Sequence, residues 1–510
     1  MKTILNKYTL ALIGMMMASA CGDDFLEVQP KGSDLEANYY TNRDEAYKGL
    51  VAVYDVVGYM SGGLVTKVGA VNSASDDHFA GGGNSTDMNV FQVWSNYTLD
   101  PSVGPQGDLW AKGFSGVFRS NVILSKLPDV PMDDSEKARF TAEARFLRAY
   151  FYFDLVRLFK NIPLLTSPVS AGEMYNVEQA SPDDVYAFIE QEIEESIEDL
   201  PNTVSGGERA RATSGMAHAL LGKVYLYREK YAEAVVELAK VNGTTPGQPS
   251  AIYGYDLLDN YGDLFKMNNE FNSESIFEIS FTNTSAGSWG CSACTEGNIL
   301  NVMSGPRGFK LLVNDGSVPD YVSGWSFFAI TPSLVAAMNS DPRFSATIAD
   351  IGGLADAGKV EYSPGYMDTG FFLEKFAAKV SDRWTGAGDA DLNYPQNIYE
   401  IRLADTYLME AEALVLGGGN TARAQALLDA VRSRAGAPSI PATFENIFNE
   451  RRLELAGEGH RWFDLVRTGK AAAALASRGF VAGKHEILPI PLLEMENTKI
   501  KQSVEWGGSL

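Results

Sequence analysis

A chain of 510 residues with 45% hydrophobic and 21% charged residues holds enough apolar material for a large core, which excludes a disordered chain. Its formal charge of −23 at pH 7 repels polyanions, so nucleic acid and anionic lipid head groups are poor partners. Beyond the leader described next, nothing approaches the ~18 uninterrupted apolar residues of a membrane-spanning helix.

Lys2 and Lys7 open a basic leader, Leu10 to Met17 form a short apolar stretch, and Ala18-Ser19-Ala20 runs into Cys21-Gly22-Asp23-Asp24. This is the pattern of a bacterial lipoprotein signal. Cleavage before Cys21 leaves its thiol to carry diacylglycerol, and several acyl chains anchor a protein firmly where a single chain holds it only marginally. Ala18-x-Ala20 also suits an ordinary secretory signal. The layout expected is a leader at 1–20, a lipidated tether at 21–41 and a folded body at 42–510.

Within that body, 42–58 reads as an amphipathic helix capped by Asn42, with Ala46, Leu50, Val53 and Tyr54 on its apolar face. Residues 72–105, with Gly81-Gly82-Gly83-Asn84 and scattered aromatics, read as a long structured loop, and loops of that length are uncommon unless functional. Helical periodicity returns at 108–127 and 134–160, then at 182–199 behind Ser181-Pro182. Residues 213–240 carry a tetratricopeptide-like spacing, Leu221-Gly222-x-x-Tyr225 followed by Tyr231 and Ala234. The stretch 241–395 is an irregular, loop-rich region with an alternating strand at 274–282. A second helical pair follows at 400–416 and 421–434, joined by Gly417-Gly418-Gly419-Asn420, then helices at 443–456 and 461–478. The body thus divides into 42–240, 241–395 and 396–510.

Of the 3 cysteines, Cys291-Ser-Ala-Cys294 is the pair left after Cys21. With no second CxxC and no nearby His it forms no zinc site; in an exported protein it reads as a local disulfide, with two free thiols as the alternative. The 4 histidines, His78, His218, His460 and His485, lie far apart, and no metal or cofactor is expected.

These stretches together resemble the SusD/RagB family of surface lipoproteins, which Bacteroidetes pair with a TonB-dependent outer-membrane transporter. The resemblance rests on Cys21-Gly-Asp-Asp-Phe-Leu, on Ala144-Arg-Phe-Leu-Arg-Ala-Tyr-x-Tyr-Phe-Asp-Leu-Val, and on Arg402-Leu-Ala-Asp-x-Tyr-Leu-Met-x-Ala-Glu-Ala413. Its most specific piece is Asn449-Glu-Arg-Arg-x-x-Glu-Leu-Ala-x-Glu-Gly-His-Arg-Trp-Phe-Asp-Leu-Val-Arg467, and Ile487-Leu-Pro-Ile-Pro-x-x-Glu494 matches near the end. It implies a mainly α fold, in which four tetratricopeptide-like helical hairpins form a scaffold beside a loop-rich face and a few short β-strands. It also implies an outer-leaflet, surface-exposed lipoprotein that binds oligosaccharides and acts as a lid on a SusC-like transporter. A peptide-binding lid is the alternative, and a carbohydrate-active enzyme a second one.

Sugars present C–H faces and hydroxyl rims, so a glycan site wants flat aromatics beside polar groups. Two loop regions supply them: Asp77 and His78 with Trp94, Asn96 and Tyr97, and Trp289 with Tyr321, Trp325 and Phe327. Trp94, Tyr97 and Trp325 are the leading platforms expected. The acids Glu450, Glu454, Glu458 and Asp464 look catalytic beside His460, since a retaining glycosidase needs two carboxyl groups about 5–5.5 Å apart. Arg451, Arg452, Arg461 and Arg467 would lower their pKa values, the wrong direction for a general acid. The segment therefore reads as ion pairs locking helices, Trp110, Trp462 and Tyr150–Phe153 as core, and no catalytic residue is expected.

Overall fold

The computed structural model describes residues 39–61, 63–291 and 295–510. The leader, Cys21 and most of the tether lie outside the described residues, as does Cys294. Helix α1 is Arg43–Ser61, α2 Lys67–Ala74, α3 Asn89–Ser95, α4 Gln106–Lys126 and α5 Asp134–Phe159. They are followed by α6 Pro182–Glu194, α7 Ser214–Tyr227 and α8 Tyr231–Asn242. The irregular middle contains strand β1 Ser275–Ile279, helix α9 Pro332–Met338, and strands β2 Ile348–Asp350 and β3 Phe371–Leu373. Strand β4 Ile398–Arg402 leads into α10 Leu403–Leu416, α11 Thr421–Arg434, α12 Phe444–Glu454 and α13 Arg461–Arg467. The fold is mainly helical, and its strands form short two-stranded antiparallel sheets such as β1–β4 and β2–β3.

Helix starts follow from side chains that accept the otherwise unpaired N–H groups of a first turn. Asn42 accepts from the Glu45 amide, Ser181 from Asp184, Thr213 from Met216, Asn420 from Arg423 and Thr443 from Asn446. Successive helices then pack side by side: α1 on α4, α4 on α5, α5 on α6, α7 on α8, α8 on α10, and α10 on both α11 and α12. In the tetratricopeptide-like pair α7–α8, a methyl group on Gly222 would come within 2.5 Å of Leu238, so only glycine admits this approach. The core runs through both helical parts and includes Trp110, Tyr150, Phe151, Tyr152, Phe153 and Trp462, all buried.

Three expectations change. The 72–105 stretch carries α3 and the end of α2 rather than loop alone. The helix at 400–416 begins at Leu403, because Ile398–Arg402 pairs with Ser275–Ile279 as a strand. The helix at 461–478 stops at Arg467, where the Thr468-Gly469 turn, with Gly469 at φ +68°, breaks it before a four-residue turn of helix at Ala471–Ala474.

The arginine-rich C-terminal segment forms a buried ionic lattice. Glu454 Oε1 accepts from Arg402 Nη1 at 2.6 Å and from Arg434, and its Oε2 accepts from Arg343 Nη1 at 2.8 Å. Arg402 is bidentate on Glu458 at 2.8 and 2.9 Å and also reaches Glu274 at 2.8 Å, while Lys375 donates to Glu458 at 2.7 Å. Burial acts to raise the Glu454 pKa, but Arg434, Arg402 and Arg343 hold it far below the ordinary carboxylate range. These acids are spent on charge pairing, as expected. Glu454 and Glu458, however, pair with Arg343, Arg402, Arg434 and Lys375 from distant segments, and of the neighbouring arginines it is Arg451 and Arg467 that take Asp464. Removing one member strands buried arginines, so Glu454→Gln is expected to cost ~3–5 kcal/mol in urea-unfolding free energy. A loss below ~1 kcal/mol would show that the arginines find other partners.

Candidate functional site

The loop-rich face is organised by a main-chain ribbon that local sequence patterns do not announce. Residues 77–82 run antiparallel to 326–331: Thr331 N donates to Asp77 O at 2.9 Å, Phe79 N to Ala329 O at 2.8 Å, Phe328 N to Ala80 O at 2.9 Å, and Gly82 N to Ser326 O at 2.8 Å. Left-handed residues at Ser326 (φ +61°) and Phe328 (φ +58°) keep it from being a regular strand pair. The glycine run is what allows the approach, since a methyl group on Gly81 would lie 2.3 Å from the Ser326 carbonyl.

Trp325 stands at the end of this ribbon, half-buried, with its amide donating to Val302 O at 2.9 Å. Its partner is Trp289, 45% exposed, whose ring centroid lies 5.7 Å away at an interplanar angle of 32°. The Trp289 amide donates to Asp389 Oδ2 at 2.9 Å. Cys291 is disulfide-bonded, and its amide closes a turn on Ser288 O at 3.0 Å, directly behind Trp289. Two residues not singled out from the sequence border the pair. Arg307 donates from Nη2 to the Trp325 carbonyl at 3.0 Å and pairs with Asp87 at 3.5 Å, both side chains about a third exposed (39% and 33%). The only sequence signal for Arg307 is its place in the Gly305-Pro306-Arg307-Gly308 turn. Beside it opens a depression of about 490 Å³, lined by Phe309, Asp320, Tyr321, Ser323 and Arg383. Tyr321 itself is buried, its hydroxyl donating to Glu374 at 2.7 Å.

Of the expected ligand residues, the structure brings Trp289 and Trp325 together on an open surface and places five others, besides Tyr321, in the interior. Asp77 is fully buried and accepts from Arg452 Nε at 2.7 Å; its neighbour Asp76 takes Arg461 at 2.7 and 2.8 Å. His78 is fully buried with Nδ1 2.9 Å from the Phe328 carbonyl, and burial lowers its pKa against the opposing charge of Asp77. Trp94 packs edge-on against Trp462 at 5.2 Å. Tyr97 donates to Ala74 O at 2.5 Å and packs against Phe480 and His485. Phe327 is buried under Gly82, whose added methyl would lie 2.6 Å from its ring. Asn96 is exposed, but its carbonyl neighbours Gly479 on the C-terminal segment. Trp94 and Tyr97 are corrected from platforms to core: Trp94 in α3 faces Trp462 of α13, and Tyr97, just past the Asn96 C-cap, packs on Phe480 and His485. Among the described residues, no group of three or more His, Cys, Asp or Glu is placed to hold a metal ion.

This division has a ligand-free consequence. Trp94→Ala empties a packed interior and is expected to cost ~3–5 kcal/mol. Trp289→Ala, at the surface, should stay within about 0.5 kcal/mol of the parent in the same urea titration. Equal losses for the two would put Trp289 in the core.

Comparison with known proteins places the chain. The model of the SusD family matches residues 273–479, and a second model, described as starch-binding and associating with the outer membrane, matches residues 24–226. A solved laminarin-binding SusD-like protein is 53% identical, with a TM-score of 0.88 over 91% of this chain and 99% of its own. The surface glycan-binding protein A of Bacteroides thetaiotaomicron, solved with laminarihexaose, is 28% identical with a TM-score of 0.79, covering 89% of this chain and 98% of its own. The starch-binding protein SusD of the same species is 24% identical over 72% of this chain and 73% of its own. With a solved relative sharing more than half its residues along nearly the whole length, the chain belongs to the SusD/RagB family.

Proposed function

We propose that this protein is a surface glycan-binding lipoprotein that captures a laminarin-type oligosaccharide and delivers it to a SusC-like TonB-dependent transporter in the outer membrane. Proteins of this family bind rather than catalyse. The observation that carries the reading is the Trp289–Trp325 pair, an indole surface held open beside Arg307 and Asp87. Laying about 60 Å² of a pyranose C–H face on an indole contributes on the order of 1.5 kcal/mol at ~25 cal/mol per Å². Arg307 and Asp87 supply hydroxyl partners of both hydrogen-bonding senses. Two such contacts plus hydrogen bonds, less the ordering cost of a flexible glycan, give micromolar-to-millimolar affinity. A carrier that must release its cargo works in that range. The 53%-identical relative is a laminarin-binding protein, which supports laminarin in particular.

The test is calorimetric titration of the soluble chain beginning after Cys21 with laminarihexaose and with mixed oligopeptides. Laminarihexaose is expected to saturate, and Trp289→Ala and Trp325→Ala each to weaken it about 10-fold, the equivalent of ~1.4 kcal/mol. Saturation with peptides and silence with glucan would move the protein to peptide capture. A steady heat flow proportional to protein concentration would reveal turnover and sink the carrier reading.

Anchoring is tested separately. Cys21→Ala is expected to abolish incorporation of labelled palmitate and to release the protein from the outer-membrane fraction of cells lacking the transporter. Full retention in that fraction would assign the attachment to something other than acyl chains.

A further inference from the structure

A second cavity, of about 220 Å³, lies apart from the tryptophan face and shares no residue with it. It opens between the segment leading into α7, the Tyr253-Gly254-Tyr255 turn and the stretch from Phe271 into β1. One wall is an aromatic pair: the rings of Tyr253 and Tyr255 stack at 5.4 Å and 27°. Tyr255 is seated on the first turn of α7, where a methyl group on Gly215 would come within 2.5 Å of its hydroxyl, so the pair is fixed before any ligand arrives. Opposite stands Phe271, a bulky residue at φ +51°, with the Arg209 guanidinium 4.9 Å over its ring. Backbone strain of this kind persists only where surrounding contacts enforce it. Here the enforcing contact is the Phe271 amide, which donates to both oxygens of Glu278 at 3.1 and 2.9 Å.

The chemistry of these walls selects a ligand. Glu278 is buried with its carboxylate accepting from the Phe271 amide and Asn397, and Arg209 lies over the Phe271 ring. The lining thus offers a carboxylate close behind one wall and a guanidinium on it, and a neutral guest meets the least opposition. The lining is largely polar, with Asn202 exposed at the rim and its Oδ1 accepting from Ser214 at 2.8 Å, which disfavours a purely apolar guest. Flat aromatic rings beside an amide, a guanidinium and a carboxylate match a ring that has C–H faces and a girdle of hydroxyls. The volume falls short of the ~300–1,000 Å³ of pockets for drug-sized ligands, and suits one such ring.

We propose that this cavity is a second carbohydrate site, a one-ring saccharide pocket built by Arg209, Tyr253, Tyr255 and Phe271, distinct from the Trp289–Trp325 face. It does not depend on which glycan the tryptophans take, and its test is arranged so that the two readings fail separately. The chain carrying Trp289→Ala and Trp325→Ala together is examined by saturation-transfer NMR with glucose, galactose, mannose, N-acetylglucosamine and laminaribiose. At least one sugar is expected to give a saturable signal that falls at least five-fold when Tyr253→Ala or Arg209→Ala is added. A one-ring pocket further predicts that the matching disaccharide binds within about three-fold of its monosaccharide. Arg209 is exposed, so its variant reports on the pocket even where Tyr253→Ala does not fold. Silence with every sugar on the double tryptophan variant overturns the proposal, and so does a signal that neither addition reduces. The laminarihexaose titration of the unaltered chain judges the tryptophan face independently.

Discussion

The structure depends on a lattice of buried arginines and carboxylates that joins its helices to its loops. Arg402 ends strand β4, Glu274 precedes strand β1, Arg343 follows α9, Arg434 ends α11, and Glu454 ends α12, yet all five meet away from water. An ion moved from water into a protein interior loses several kcal/mol of hydration, and only complete pairing returns it. Such a lattice tolerates no partial assembly. The loop-rich middle needs this constraint, because its own apolar cluster around Phe309, Tyr321, Ile351 and Phe372 is small. The lattice shares this task with the main apolar core, into which Phe277, Leu300, Met303, Phe328, Ile330 and Leu373 of that region pack.

The same logic extends to the candidate site by a traceable route. Arg452 and Arg461, on or beside the C-terminal helices, grip Asp77 and Asp76. Those acids begin the segment 77–82, whose main chain pairs with 326–331, and Trp325 sits at the far end of that ribbon. The residues expected to touch ligand in the first loop are thus the supports of the residue that stands open in the second. His78 and Phe327 are buried within the ribbon, Trp94 packs on Trp462, and Trp289 is brought alongside Trp325 from a separate loop braced by Asp389 and the Cys291 disulfide.

Much of this was legible in the sequence where chemistry is local. Caps such as Asn42 and Ser181 and the pairing of Asp464 with Arg467 express themselves within a few residues, and the Gly222–Leu238 approach within one helical hairpin. So did the tryptophans near a CxxC and ahead of Thr331-Pro332. What escaped was long-range. The pairing of 398–402 with 275–279 spans more than a hundred residues and converts the start of an apparent helix into a strand. Composition cannot say whether Trp94 faces a sugar or Trp462, because an aromatic serves both environments and only the packing of α3 against α13 decides. Arg307 lacked a helical or strand period and was found only through its contacts with the Trp325 carbonyl and Asp87.

The ribbon beneath Trp325 separates placement from chemistry. Its supports are peptide groups, which every residue except proline provides in full, while the side chain at position 325 contributes little to holding the strand in place. If this face takes the glycan as proposed, a change of residue there alters what the surface recognises without altering where the surface is. The same frame can therefore exchange one sugar for another through substitutions at its tip, with the cost to folding confined to the few buried groups, Gly81 and Asp77 among them, that set the height of the ledge.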